Sequence, residues 1–305
     1  MSVIRIEDIA HVRYAAPDLV AMRGFLEDFG LACFEADGRL YGRASDGRPF
    51  VHVTEPGAAR FLALGLRAAS VDDLERLAAH EGVAVSDLAD PGGGKVVRLT
   101  DPDGYLVEVI AGQAQGETAP LPADPPRNTA AASPRFRAAI RLEPSPSHVR
   151  RIGHAVLKVR DFRTSEAWYK QRFGLLTSDE VEAAKDVPLG AFMRCDRGDQ
   201  PADHHTLFLA QLPGELGILH AAFEVANLDD LMLGHDHLKA RGRKAAWGVG
   251  RHIMGSQVFD YWKDPFGNEL EHWTDGDLFT SADPPQKMPM SALLAVQWGA
   301  PNPLF

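Results

Sequence analysis

Cysteine is nearly absent: Cys33 and Cys195 are the only two in 305 residues, far apart and without the spacing of a metal site. They read as free thiols of a reducing cytoplasm, with a single disulfide as the alternative. A basic run is missing as well. With 32 basic against 42 acidic residues the net charge is −10, which argues against nucleic acid as a partner and disfavours an anionic membrane surface. No apolar stretch approaches the roughly 20 residues that span a bilayer. The first eight residues carry Arg5, Glu7 and Asp8 where a secretory leader needs an apolar core. These absences leave a cytoplasmic globular protein, 45% hydrophobic and long enough for two modest domains or one large one.

The chain repeats itself. Ile9-Ala10-His11-Val12 opens a strand, and Asp18 precedes a helical pattern that ends at Phe29-Gly30-Leu31. Ile152-Gly153-His154-Ala155 opens another, and Asp161 precedes a pattern that ends at Phe173-Gly174-Leu175. In both, the Asp suits a helix N-cap and the Gly a helix stop. A second helix follows in each half, at Ser70-Val71-Asp72-Asp73-Leu74 and at Asn227-Leu228-Asp229-Asp230-Leu231. Each half closes with an Asp-Pro-x-Gly turn and a strand, from Asp101 to Glu108 and from Asp264 to Glu271. The expected fold is α+β: two tandem modules of paired βαβββ units, each forming an open, barrel-like sheet able to enclose a metal. The expected division is a first module over 1–112, a Pro/Ala-rich linker over 113–150, a second module over 151–277 and a tail over 278–305. The linker is semi-extended, and Arg127, Arg135, Arg137 and Arg141 are expected to tie it across the modules. The tail suits a subunit contact or a lid.

Three polar residues interrupt the apolar strands of the second half: His154, His220 and Glu271. A strand buries every second side chain, so an isolated His or Glu aimed inward needs a partner to offset its desolvation. Two imidazoles and a carboxylate can hold one divalent ion and leave the opposite positions open, an arrangement suited to non-haem Fe(II). When the halves are superposed, His11 falls on His154 and Glu108 on Glu271, but Ala63 falls where His220 stands. The first module is therefore expected to be degenerate and without metal.

Further polar groups gather in the second half. His204-His205 is expected to begin a strand, and alternation would turn only one of the pair inward. Gly250-Arg251-His252 and Phe259-Asp260-Tyr261-Trp262 follow. A neutral His can take up and return a proton near pH 7, and a Tyr hydroxyl can donate to a substrate oxygen. The remaining histidines His52, His80, His235, His237 and His272 lack this setting.

Together, Arg151-Ile152-Gly153-His154, Asp203-His204-His205-Thr206-Leu207, Leu219-His220-Ala221-Ala222-Phe223, Gly250-Arg251-His252 and Phe259-Asp260-Tyr261 through Glu271 resemble type I extradiol ring-cleavage dioxygenases of the vicinal oxygen chelate superfamily. That resemblance covers nearly the whole chain. It implies that His154, His220 and Glu271 hold Fe(II), or Mn(II), that O2 is a co-substrate, and that His205 is the acid/base. It further implies that His252 and Tyr261 meet the oxygens of an aromatic diol, and that the chain forms a homo-oligomer. Some biphenyl-type members carry Asn, Asp and His where Met254-Gly255-Ser256 stand here, so a different or bulkier diol is expected, including a hydroquinone-type or trihydroxylated ring. Phe192, Trp247, Ser256 and Phe259 are the expected pocket residues. Two competing readings are a metal-dependent glyoxalase-like isomerase or thiol transferase of the same fold, and a non-catalytic small-molecule-binding protein.

Overall fold

The computed structural model describes residues 2–302 and contains two large sheets. The first has eight strands between Ile6 and Ala111. The second has ten between Val149 and Gly299. Both are built on the same plan. In the first, Ile6–Ala16 pairs antiparallel with Arg60–Ala68, and each of these has a parallel neighbour outside it, His52–Pro56 and Leu106–Ala111. In the second, Val149–Lys158 pairs antiparallel with Gly217–Val225, and the parallel neighbours are Leu207–Ala210 and Glu269–Thr274. The repeat read in the sequence is a repeat of sheet topology.

Local signals set the helix ends. Asp18 accepts from the backbone N–H of Val20 and Ala21 to start the helix Leu19–Asp28, and Asp161 accepts from Thr164 to start Phe162–Phe173. Gly174 closes the latter at φ +70°, a backbone region that a Cβ disfavours. Ser70 and Asn227 cap the second helix of each module, Val71–Glu81 and Leu228–Ala240. In the closing turns the Asp101 carboxylate accepts from the N–H of Asp103 and Tyr105, and Asp264 from Phe266 and Asn268.

Alternation sorts the second sheet into two faces. Ala155, Leu157, Leu207, Leu209, Ala221 and Phe223 point to the main core, packed with the helices. The other face carries His154 and Val156, then Phe208 opposite Val156 and Phe192 opposite Phe208. Val156, Val181, Phe192, Phe208, Ala210 and Met254 form a separate apolar cluster there.

One expectation is corrected outside the sheets. Among the described residues, Arg127 alone of the four linker arginines pairs with a module carboxylate, 3.5 Å from Asp229. Arg135 and Arg141 donate to the carbonyls of Pro126 and Ile140, and Arg137 lies over the Phe136 ring. The linker is anchored near its ends instead, by backbone bonds from Gly116 to Gly47 and from Ala119 to Ser45, and by His148 on Asp230. An exposed segment offers an arginine nearby carbonyls at less loss of side-chain freedom than a distant carboxylate.

The tail, left open between a contact and a lid, extends the sheet. Gln286–Pro289 pairs parallel with Leu176–Ala184 at one edge, and Val296–Gly299 pairs antiparallel with Lys244–His252 at the other. A short helix, Met290–Leu294, joins them. No helix of the described residues is long and apolar enough to cross a membrane. Both cysteines are free, and Cys195 is buried.

Candidate metal centre and active site

Strand register alone brings the three expected ligands together. His154 is opposite Ala222, and Ala222 is opposite Glu271 on the next strand. His220 is opposite Val156, two places along the same face from His154. All three side chains therefore rise from one face of three adjacent strands. His154 Nε2 lies 3.2 Å and His220 Nε2 3.3 Å from Glu271 Oε2. The three ligand atoms lie within 4.8 Å of one another.

The electrostatics of this cluster fit a cation. Glu271 is fully buried and its Oε1 has no hydrogen-bond partner. Burial pushes its carboxyl up, but the imidazoles of His154, His220 and His252 outweigh that and hold it well below the usual carboxylate range. Burial likewise pushes His154 down to about 4, against the pull of Glu271. A neutral imidazole beside an ionised, half-satisfied carboxylate is a site short of positive charge. Two nitrogens and one oxygen on one side suit Fe(II), or Mn(II), with positions left for substrate and O2. His154, His220 and Glu271 are the residues that would hold it.

The other expected residues surround this cluster. His205 packs on His154 with ring centroids 4.0 Å apart, and burial, aided by His154 and His204, pushes it well below the usual imidazole range. His252 Nε2 is 3.0 Å from the Tyr261 hydroxyl and 3.7 Å from Glu271 Oε1. Tyr261 is raised well above the usual phenol range, by burial first and then by the charge of Glu271. Phe192 sets its ring edge against His205 at 4.8 Å and stacks on Phe208 at 4.0 Å. Phe259 stacks on His252 at 4.1 Å, and Trp247 covers Phe259 at 4.4 Å. Ser256 turns the other way: its hydroxyl donates to Asp277 and its carbonyl accepts from Arg251.

One expectation fails here. His204 and His205 are both buried, at 1% and 3% exposure. The strand begins only at Leu207, and residues 204–206 form a bend, so alternation does not govern the pair. His204 Nε2 lies 2.9 Å from Asp179 Oδ2, and its Nδ1 lies 3.0 Å from His205 Nδ1. Asp179 belongs to this constellation and was missed in the sequence, where one Asp in Thr177-Ser178-Asp179-Glu180 carries no signal. Gly255 is required by the same packing, since a Cβ there would come 3.0 Å from the His204 ring.

In the first module His11 Nε2 lies 2.9 Å from Glu108 Oε2. Ala63 is opposite Arg13, as His220 is opposite Val156, so the register places Ala63 at the third-ligand position. The Arg13 guanidinium fills that place, 3.0 Å from Glu108 Oε2 and 2.7 Å from Asp90 Oδ2.

Comparison with known proteins agrees with this geometry. The family model of the glyoxalase/bleomycin resistance protein/dioxygenase superfamily matches residues 151–272. The match covers the second module, the one that holds His154, His220 and Glu271. Metapyrocatechase 2 of Cupriavidus necator is 29% identical over 312 residues, spanning 98% of this chain and 91% of that protein. Biphenyl-2,3-diol 1,2-dioxygenase of Paraburkholderia xenovorans is 33% identical over 124 residues, about 40% of each chain. An iron-dependent extradiol dioxygenase of Rhodococcus jostii is 29% identical over 131 residues, 41% of this chain and 43% of its own. Among solved structures, the Mn(II)-bound glyoxalase from Novosphingobium aromaticivorans superposes with a TM-score of 0.79 at 25% identity, covering 98% of this chain and 93% of its own.

Proposed function

We propose that this protein is an extradiol dioxygenase that opens the ring of an aromatic diol with O2 at a non-haem Fe(II) held by His154, His220 and Glu271. The observation that carries the reading is a buried carboxylate with an unsatisfied oxygen, faced by two imidazole nitrogens on one sheet face, with His205, His252 and Tyr261 around it. The relatives whose names specify catechol-type or biphenyl-diol cleavage point to the same chemistry.

The bound ion supplies Lewis acidity that favours the ionised diol and a path for electrons between ring and O2. The chain supplies the rest. His205, kept neutral by burial, accepts one proton and returns it as the ring opens. Tyr261, whose phenol stays protonated through the neutral range, donates to a diol oxygen and is oriented by His252. Phe192, Phe208, Val156 and Met254 exclude water from one side, and Trp247 with Phe259 from the other. The first module, with Arg13 in place of a third ligand, is read as metal-free. A homo-oligomer in the cytoplasm completes the proposal.

Likeness to the Mn(II)-bound glyoxalase favours a second reading, a metal-dependent isomerase on the same ligands. Such an enzyme has no need of His205, His252 and Tyr261 together. O2 uptake by Fe(II)-loaded protein, measured against a panel of catechols and hydroquinones, decides between the two. Consumption matched one-to-one by a yellow ring-opened product is expected. No uptake with any diol, alongside isomerisation of a glutathione hemithioacetal, would replace this reading with the isomerase.

A further inference from the structure

The tail 286–299 crosses the mouth of the second sheet. Its strands lie on the two outer edges of that sheet, and only residues 290–295 connect them. Six residues reach at most about 20 Å fully extended, and less when most are helical. The sheet must therefore be rolled until its edges nearly meet, with the helix Met290–Leu294 bridging the gap.

What the tail turns inward is apolar. Met288, Met290 and Leu293 pack against the cluster that holds Val156, Phe192 and Met254, on the same face as the ligand cluster. All three tail side chains are only half-buried, so part of their surface is still uncovered. Methionine adapts its shape to whatever it meets. Lys158, four residues beyond His154 on the same strand, has its amino group at the Gly214 loop, where a Cβ would lie 3.0 Å from it. The tail is also fastened to the site. Gln297 donates to the His252 carbonyl at 2.9 Å, and the Trp247 indole donates to the Ala300 carbonyl at 2.9 Å. The tail residues themselves lie outside 151–272, the part matched by the superfamily model.

We propose that the tail forms one wall of the substrate chamber, and that Met290 and Leu293 select diols bearing an uncharged, apolar ring substituent. The inference rests on the diol-cleaving reading above. It is tested with the full chain, Fe(II)-loaded, as wild type and as the Met290→Ala/Leu293→Ala double variant. Catechol and 3-phenylcatechol are the probes, with affinities from anaerobic calorimetry and kcat/KM from O2 uptake. The preference for 3-phenylcatechol over catechol should fall about tenfold or more in the variant, with iron content held. An unchanged preference would overturn the proposal. So would a wild type that binds 3,4-dihydroxyphenylacetate, whose substituent is a carboxylate, as tightly as 3-phenylcatechol. If the double variant does not fold, Leu293→Lys replaces it: a shift of affinity toward the carboxylate-bearing diol supports the wall, and no shift overturns it. A wild type that binds 3-phenylcatechol preferentially yet consumes no O2 would sink ring cleavage while leaving the chamber standing.

Discussion

The two modules confront the same problem with different cations. In each, a histidine and a glutamate occupy matching places on the central strands, His11 with Glu108 and His154 with Glu271, opposite Gly65 and Ala222 respectively. A carboxylate buried there needs positive charge close by. The first module provides it covalently. Arg13 lies against Glu108 and Asp90, and these acids, against the opposing effect of burial, raise its pKa still further. The small side chain of Ala63 leaves room for it. In the second module, Val156 replaces the arginine and His220 replaces the alanine, so the carboxylate stands among imidazoles with one oxygen unsatisfied. One exchange of residues on facing strands separates a structural ion-pair centre from a centre that calls for an external ion.

Several substitutions would break or sharpen that contrast. The largest effect is expected from His220→Ala, which gives the second module the first module's alanine without its arginine. Bound iron should fall to near zero by elemental analysis while circular dichroism stays native; wild-type iron content would remove His220 from the ligand set. His205→Asn should retain iron but slow turnover by roughly 10²–10⁴-fold, the range for loss of an acid/base; an unchanged rate would end that role. Arg13→Met removes the buried cation between Glu108 and Asp90, leaving them only the more exposed Arg98 and Arg39, and should destabilise the chain by up to about 3–5 kcal/mol in urea denaturation, with iron content intact.

Acidification probes both modules at once in metal-free protein. His154 and His52 titrate near 4 and near 3 in the folded chain, both depressed by burial. The unfolded chain binds those protons first, from the ordinary imidazole range downward, so stability should fall as pH drops from about 7 toward 4. A melting temperature that rises on going from pH 7 to pH 5 would contradict this. The smallest effect is expected from His11→Asn, which should leave iron content and turnover unchanged and lower stability by about 1 kcal/mol.

Much of this was legible in the sequence because strand and turn chemistry are local. Asp-Pro-x-Gly, the capping Asp residues and the single polar interruptions at His154, His220 and Glu271 fix both the repeat and the ligand cluster. The unread parts depend on pairing at a distance. Arg13 is an ordinary strand arginine until Ala63 is set opposite it and Asp90 is brought in from a loop. The bend at residues 204–206 turns both histidines inward, and nothing in His204-His205-Thr206 announces a bend. Asp179 has meaning only once His204 is beside it. The tail strands are four residues each, too short and too polar in pattern to be recognised without the edges they join.

Those two short strands have a bearing on solubility. A rolled sheet of long strands would otherwise offer two unsatisfied rows of N–H and C=O groups to any passing chain. Here the exposed margins are Gln286–Pro289, which contains a lysine and a proline, and Val296–Gly299, which ends in a glycine at φ +114°. A four-residue edge carrying Lys287 and Pro289 is a poor template for further strand addition. The segment that closes the mouth of the sheet thereby also ends its growth, and removing it should expose the Leu176–Ala184 and Lys244–His252 strands to edge-to-edge association between molecules.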